Sequence, residues 1–120
     1  MKLAQTRRFR AEFFPFLSTK KGQAAFMQLP PGGTSDDDVS NEHPRSEQWL
    51  FVVAGLGTAV VVSKEGTRRK VKLGRGSLLV IEQGELHQIK NSGQKPFVSI
   101  NFYLPPAYRS DGRLRRRSSR

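Results

Sequence analysis

The sequence predicts an all-β domain, a sandwich or barrel, and three observations carry that expectation. Apolar and aromatic residues fall in roughly eight short runs, several of them alternating with polar residues. Glycine and proline, 11 and 7 of the 120 residues, separate those runs. No window sustains a 3.6-residue apolar period, so little or no helix is expected.

Taken in chain order, FRAEFFPF (9–16) is an aromatic-rich first strand. QAAFMQL (23–29) is a second, closed by Pro30, Pro31, Gly32 and Gly33. TSDDDVSNEHPRS (34–46) is polar and acidic, a long loop in which Asp36, Asp37 and Asp38 face solvent. These acids lack the alternating spacing of a calcium loop. QWLFVVA (48–54) alternates and ends at Gly55. TAVVVSK (58–64) follows Gly57 and leads through Glu65 and Gly66 into the solvent-facing TRRKVKL (67–73), a hairpin. Arg68, Arg69, Lys70 and Lys72 make that strand a basic edge, which guards it against stray pairing. Gly74 and Gly76 bracket the next turn. SLLVI (77–81) is wholly apolar and is expected to be buried. HQIKN (87–91) and FVSINFYL (97–104) alternate, and Pro105 and Pro106 end the pattern.

Composition excludes several function classes. One domain with one core suits 120 residues. No run of about 18 apolar residues is present, so no membrane span is expected. MKLAQTRRFRAEFF is basic without a continuous apolar stretch, unlike a secretory signal. The lack of cysteine excludes disulfides, thiolate metal sites and cysteine nucleophiles, and a cytoplasmic location is expected. No Gly-x-Ser-x-Gly elbow and no dinucleotide fingerprint occur. Of the net charge of +11, residues 109–120 supply six arginines and one aspartate, +5, and residues 1–108 the remaining +6.

The chain has two histidines, His43 and His87, and each sits in a patterned stretch. GSLLVIEQGELHQIKN places Gly76, Gly84, His87 and Asn91 at the spacings of the second motif of the cupin family, with Glu82 where that pattern has proline; Glu82 reads as a turn residue. NEHPRSEQWLFVVAG resembles the first cupin motif. Gly55 ends it, Gln48 stands at the glutamate position, His43 at the second histidine and Asn41 at the first. The resemblance covers residues 20–106 and implies a double-stranded β-helix, or jelly-roll barrel. The chain then divides into an N-terminal strand region (1–19), the barrel (20–106) and a basic tail (107–120).

The resemblance further implies that Asn41, His43, Gln48 and His87 converge inside the barrel around a divalent metal such as Fe, Mn, Ni or Zn. Alternation puts Gln48, Leu50 and Val52 on one face, and His87, Ile89 and Asn91 on one face, so Leu50, Val52, Ile89 and Asn91 are candidate ligand-lining residues. Glu42 and Glu47 would point away in an extended chain; a bulge turning one inward would replace the missing carboxylate. Equally open is a polar pocket without metal. Trp49 and Phe51 lie on the opposite face, as packing or at a subunit contact. Cupins commonly form homodimers, a role that Phe9, Phe13, Phe14 and Phe16 would suit.

Three functions remain: a metal-dependent enzyme of dioxygenase or isomerase type on a small molecule, a metal-free small-ligand binder, and a nucleic-acid-associated protein acting through RLRRRSSR. The last lacks interleaved aromatics and a reading module, so a solvated extension is the expected state of the tail.

Overall fold

The computed structural model describes residues 1–115; the last five residues of the arginine-rich tail lie outside it. Eight strands form two antiparallel sheets: β1 (Phe13–Ser18), β2 (Gln23–Leu29), β3 (Glu47–Ala54), β4 (Gly57–Val62), β5 (Arg68–Leu73), β6 (Leu78–Ile81), β7 (Leu86–Asn91) and β8 (Phe97–Leu104). The five-stranded sheet runs β1-β2-β8-β3-β6 and the three-stranded sheet β5-β4-β7. A 3-10 turn at Thr6–Arg8 is the one helical element among the described residues. None of their helices is long and apolar enough to cross a membrane.

The alternating runs become strands with one face inward. Leu50 and Val52 of β3, Met27 and Leu29 of β2, Ala59 of β4, Ile89 of β7 and Phe97 of β8 meet between the sheets with Leu73. That apolar layer drives the two sheets together. Met27, Leu29 and Ile89 of this layer also form part of the wall of the polar cavity described below.

Two glycines are fixed by geometry. Gly55, the last residue of the first motif, has φ +92°, and a Cβ there would stand 2.5 Å from the Pro96 carbonyl oxygen and 2.8 Å from Phe97 Cα. Gly66 has φ +89° in the β4–β5 turn with open space around it. Gly55→Ala is therefore expected to cost about 3 kcal/mol or more, and Gly66→Ala only about 1 kcal/mol, the cost of the left-handed backbone alone. Urea denaturation of both variants checks the difference.

The structure departs from the sequence reading in three places. Leu78 and Val80 of the wholly apolar run are not buried: only Ile81 is, because the five-stranded sheet has one face on the core and one outside, and alternation puts Leu78 and Val80 on the outer face. Loop 34–46 is not free in solvent. It runs along β7, with Ser35 N on the Ile89 carbonyl and Ser40 and His87 exchanging both main-chain hydrogen bonds. The tail as far as residue 115 folds back, with Arg109 N on the Arg113 carbonyl and Arg115 N on the Ala107 carbonyl.

The N-terminal phenylalanines are covered within the chain. Phe9 packs on Phe14, Phe16 and Phe26 with ring centroids 4.6, 4.9 and 5.5 Å apart, and Phe13 packs on Tyr108 at 4.8 Å.

Candidate functional site

The open end of the barrel encloses a cavity of about 370 Å³. Its walls combine polar groups from the 34–46 loop, β3, β7 and the C-terminal segment with Phe13, Met27, Leu29 and Ile89. Such a mixture of apolar wall and few convergent polar groups is the makeup of a small-molecule site.

His43 and His87 come together here, from a loop and from β7, with ring centroids 5.0 Å apart. Both are buried. The His87 Nδ1 lies 3.3 Å from the Glu85 carbonyl oxygen. A carbonyl only accepts, so Nδ1 carries the proton in the neutral ring and the Nε2 lone pair is left free. His43 Nδ1 and Gln48 Oε1 are buried and have no hydrogen-bond partner among the described residues. Gln48 instead spends its amide nitrogen on Asn101 Oδ1 at 3.1 Å, which directs the orphaned oxygen. Two unpaired polar atoms in one buried place are costly unless something bonds them.

Asn41 is not in this group. Its Nδ2 donates to the Glu85 carbonyl at 3.0 Å and its Oδ1 accepts from His43 N at 2.8 Å, so its side chain shapes the loop that carries His43. Leu50 and Val52 lie in the apolar core and do not line the cavity, whereas Ile89 does. Asn91 is likewise away from the cavity: its Nδ2 donates to the Leu29 and Lys95 carbonyls and its Oδ1 accepts from Gly93 N, tying the β7–β8 turn to β2.

Tyr103 and Tyr108 of the wall are not singled out by the sequence, whereas Glu42 is, as an acid that a turn of the chain would bring inward. Tyr103 faces inward by the alternation of β8 and its ring lies 4.9 Å from His43. Tyr108, beyond the double proline, packs on Tyr103 at 5.0 Å and its hydroxyl donates to Glu42 Oε1 at 3.4 Å. Glu42 reaches the wall because its loop is bent, not extended. Asp36 also lines the cavity, held by Gln88 Nε2 donating to its main-chain oxygen at 2.8 Å. Glu47 points outward, where its carboxylate accepts from Trp49 Nε1 at 3.0 Å.

Burial sets the charge state of these groups. It holds the His43 imidazole below its usual range, and with His43 beside it lowers His87 to about 4, so both rings are neutral at pH 7. Burial, with Asp36 nearby, raises the Glu42 carboxyl. Burial also raises both tyrosines and keeps their hydroxyls protonated.

A stability prediction follows. The unfolded chain protonates its histidines first as pH falls, so the folded state of the metal-free protein holds its full stability above about pH 6.5 and loses it towards pH 4, by about 3 kcal/mol at His87. Glu42 acts in the opposite sense, stabilising at low pH and losing that contribution as pH rises through its raised folded value. Urea midpoints between pH 4 and 7 should slope upward, and the slope should shrink in His87→Gln.

Among the described residues no three His, Cys, Asp or Glu side chains stand close enough to hold an ion by themselves. The donors that do converge are two imidazoles and an amide oxygen. They fit a divalent cation in type: neutral imidazole is a general ligand for such ions, and His87 has the back-side carbonyl partner that orients a ligating ring. Glu42 and Asp36 in the wall supply negative charge nearby.

Comparisons with known proteins agree with this architecture. A family profile described as the cupin domain matches residues 25–103. Germin-like protein 3-8 of Oryza sativa subsp. japonica is 35% identical over 83 residues, 69% of this chain and 36% of that protein. Auxin-binding protein ABP19b of Prunus persica is 30% identical over 88% of this chain and 49% of its own length. This chain thus spans half or less of the curated relatives it matches. Among solved structures, BH2720 from Bacillus halodurans superposes with a TM-score of 0.78 at 22% identity, covering 91% of this chain and 80% of that one. The oxalate decarboxylase of Lactobacillus farciminis, solved as a formate complex, gives a TM-score of 0.64 at 27% identity over 74% of this chain and 25% of that one. With the double-stranded fold, the two spaced motifs and a profile match over most of its length, the chain belongs to the cupin family.

Proposed function

We propose that the barrel cavity is a small-molecule site organised around a divalent cation held by His43, His87 and Gln48. One observation carries this reading: His43 Nδ1 and Gln48 Oε1 are buried polar atoms without hydrogen-bond partners among the described residues, beside a second imidazole whose tautomer leaves a lone pair free. A bound cation would act as a Lewis acid on an oxygen of the ligand. Fe, Mn, Ni and Zn all suit this donor set.

The chain's own residues do the rest. Glu85, through its carbonyl, fixes His87. Asn101 aims Gln48. Tyr103 and Tyr108 wall the cavity with protonated hydroxyls, and the Glu42 carboxylate at the wall is an acceptor able to bond a polar ligand. The formate complex of the L. farciminis relative supports a ligand of small size.

A second reading, a metal-free ligand site, is favoured by Gln48 itself, a neutral amide at the position where a carboxylate would compensate an ion. The ligand would then be a hydrogen-bonding partner of the same two side chains, a donor to the Gln48 oxygen. Calorimetric titration of metal-stripped protein with Mn(II) and with Zn(II) separates the two. The proposal expects one ion bound per chain, weakened about a hundredfold or more in both His43→Ala and His87→Ala. No heat of binding with either ion would leave the metal-free reading.

A further inference from the structure

The cavity has a neighbour of opposite charge. Its own walls carry three carboxylates, Glu12, Asp36 and Glu42, and no lysine or arginine among the described residues. Beside it, sharing His43 and Glu42 as lining, lies a groove of about 1160 Å³. Lys20, Arg45, Arg109 and Arg115 line this groove, against the single carboxylate of Glu42.

The backbone that presents these cations is fixed. Ser46 N donates to the His43 carbonyl at 2.9 Å, Ser46 Oγ to the Pro105 carbonyl at 2.6 Å, and Gln83 Nε2 to the Arg45 carbonyl at 2.7 Å. Lys20 sits in the turn between β1 and β2, closed by Thr19 N on the Gly22 carbonyl at 2.8 Å. Arg115 N donates to the Ala107 carbonyl at 2.8 Å, which returns Arg115 to the groove. The charged ends are less engaged. Among the described residues the ion pairs all involve Asp111, and of the four cations only Arg109 takes part, at 3.7 Å. Arg115 Nε donates to the Tyr108 carbonyl at 3.1 Å, a neutral partner that leaves its charge uncompensated. None of the four lies in a strand, so none guards a sheet edge as the β5 cations do.

Cations gathered on a concave surface focus their potential and attract anions from solution. The planar fork of arginine matches the paired oxygens of a phosphate. A phosphomonoester, with a charge of about −1.5 to −2 at pH 7, gains more from four cations than a lone carboxylate does. The cavity is unfavourable to the same group: its carboxylates and the unpartnered Gln48 Oε1 accept hydrogen bonds and suit hydroxyl or N–H donors. The two opposite charges thus set the direction in which a ligand lies.

We infer that the groove lined by Lys20, Arg45, Arg109 and Arg115 binds the phosphate group of an organic phosphate ester whose uncharged, hydroxyl-bearing end enters the cavity beside His43. The inference rests on the reading of the cavity as a small-molecule site and makes no use of the metal.

Calorimetric titration of the metal-stripped full chain with inorganic phosphate and with glycerol phosphate, at one ionic strength, tests this. One phosphate should bind per chain, and glycerol phosphate should bind several-fold more tightly through its added hydroxyls. Arg45→Gln with Arg109→Gln should weaken both about tenfold or more. Arg68→Gln with Lys70→Gln removes the same charge from β5 in the other sheet and should change either by less than about twofold. All four substituted side chains are exposed, so the variants keep the fold. No saturable phosphate binding, or an equal loss in the two double variants, would overturn the inference. Glycerol phosphate binding no better than inorganic phosphate would detach the groove from the cavity and overturn it too. Each result is read without metal, so it stands apart from the Mn(II) and Zn(II) titrations that test the metal reading.

Discussion

Gln48→Glu should tighten divalent-metal binding about tenfold or more while making the metal-free protein less stable by about 2 kcal/mol. Both effects have one cause. Gln48 is buried, its Nε2 is engaged by Asn101 and its Oε1 has no partner. A carboxylate there supplies the charge that the two neutral imidazoles lack, so an ion gains. Without an ion, the same carboxylate is desolvated and faces the Asn101 oxygen until that amide turns over, so the empty site is penalised. Titration of wild type and variant with Mn(II), beside thermal melts with and without the ion, reads both signs. If affinity were unchanged, Gln48 would not be among the donors.

The second large effect is at Gln23. It is buried at the start of β2 and uses both ends of its amide on the C-terminal segment: Nε2 donates to the Tyr108 carbonyl at 2.7 Å and to Ser18 Oγ at 3.0 Å, and Oε1 accepts from Ala107 N at 3.1 Å and Tyr108 N at 2.9 Å. Gln23→Met keeps the volume and removes every one of those bonds. Two buried N–H groups would then lack partners, at a cost of about 3 kcal/mol or more. Because Tyr108 is a cavity wall and the hydrogen-bond partner of Glu42, the same variant should also weaken ligand or metal binding at the site. Urea denaturation gives the first quantity and titration the second. A Gln23→Met protein with wild-type stability would mean that the segment after the double proline is held by its apolar contacts alone.

The strands were legible because alternation is a local property. QWLFVVA and FVSINFYL each show period 2, and burial follows it residue by residue in β3 and β8. The same alternation placed Gln48 and His87 inward, and the spacing of the two glycine-anchored motifs pointed to His43. What was not legible depends on how loops bend and which sheet edge is exposed. Glu42 turns into the cavity because residues 40–43 are bent against β7, and no periodicity encodes that. Asp36 follows from the same docking of the loop. Leu78 and Val80 looked buried because a fully apolar run is consistent with a strand covered on both faces, but only one face of this sheet meets the core. Tyr108 and Gln23 are 85 residues apart, and their pairing appears only when β1, β2 and the C-terminal segment are placed together. A glutamine opening a strand whose next four residues are apolar is the signal in the sequence for such a partner.

Elemental analysis of protein purified without a histidine tag, beside the double variant His43→Ala, His87→Ala, reads the metal site itself. The wild type should carry Fe, Mn, Ni or Zn approaching one ion per chain, and the double variant none. A wild type free of metal after incubation with excess ion, or a double variant with undiminished content, would contradict the proposed site.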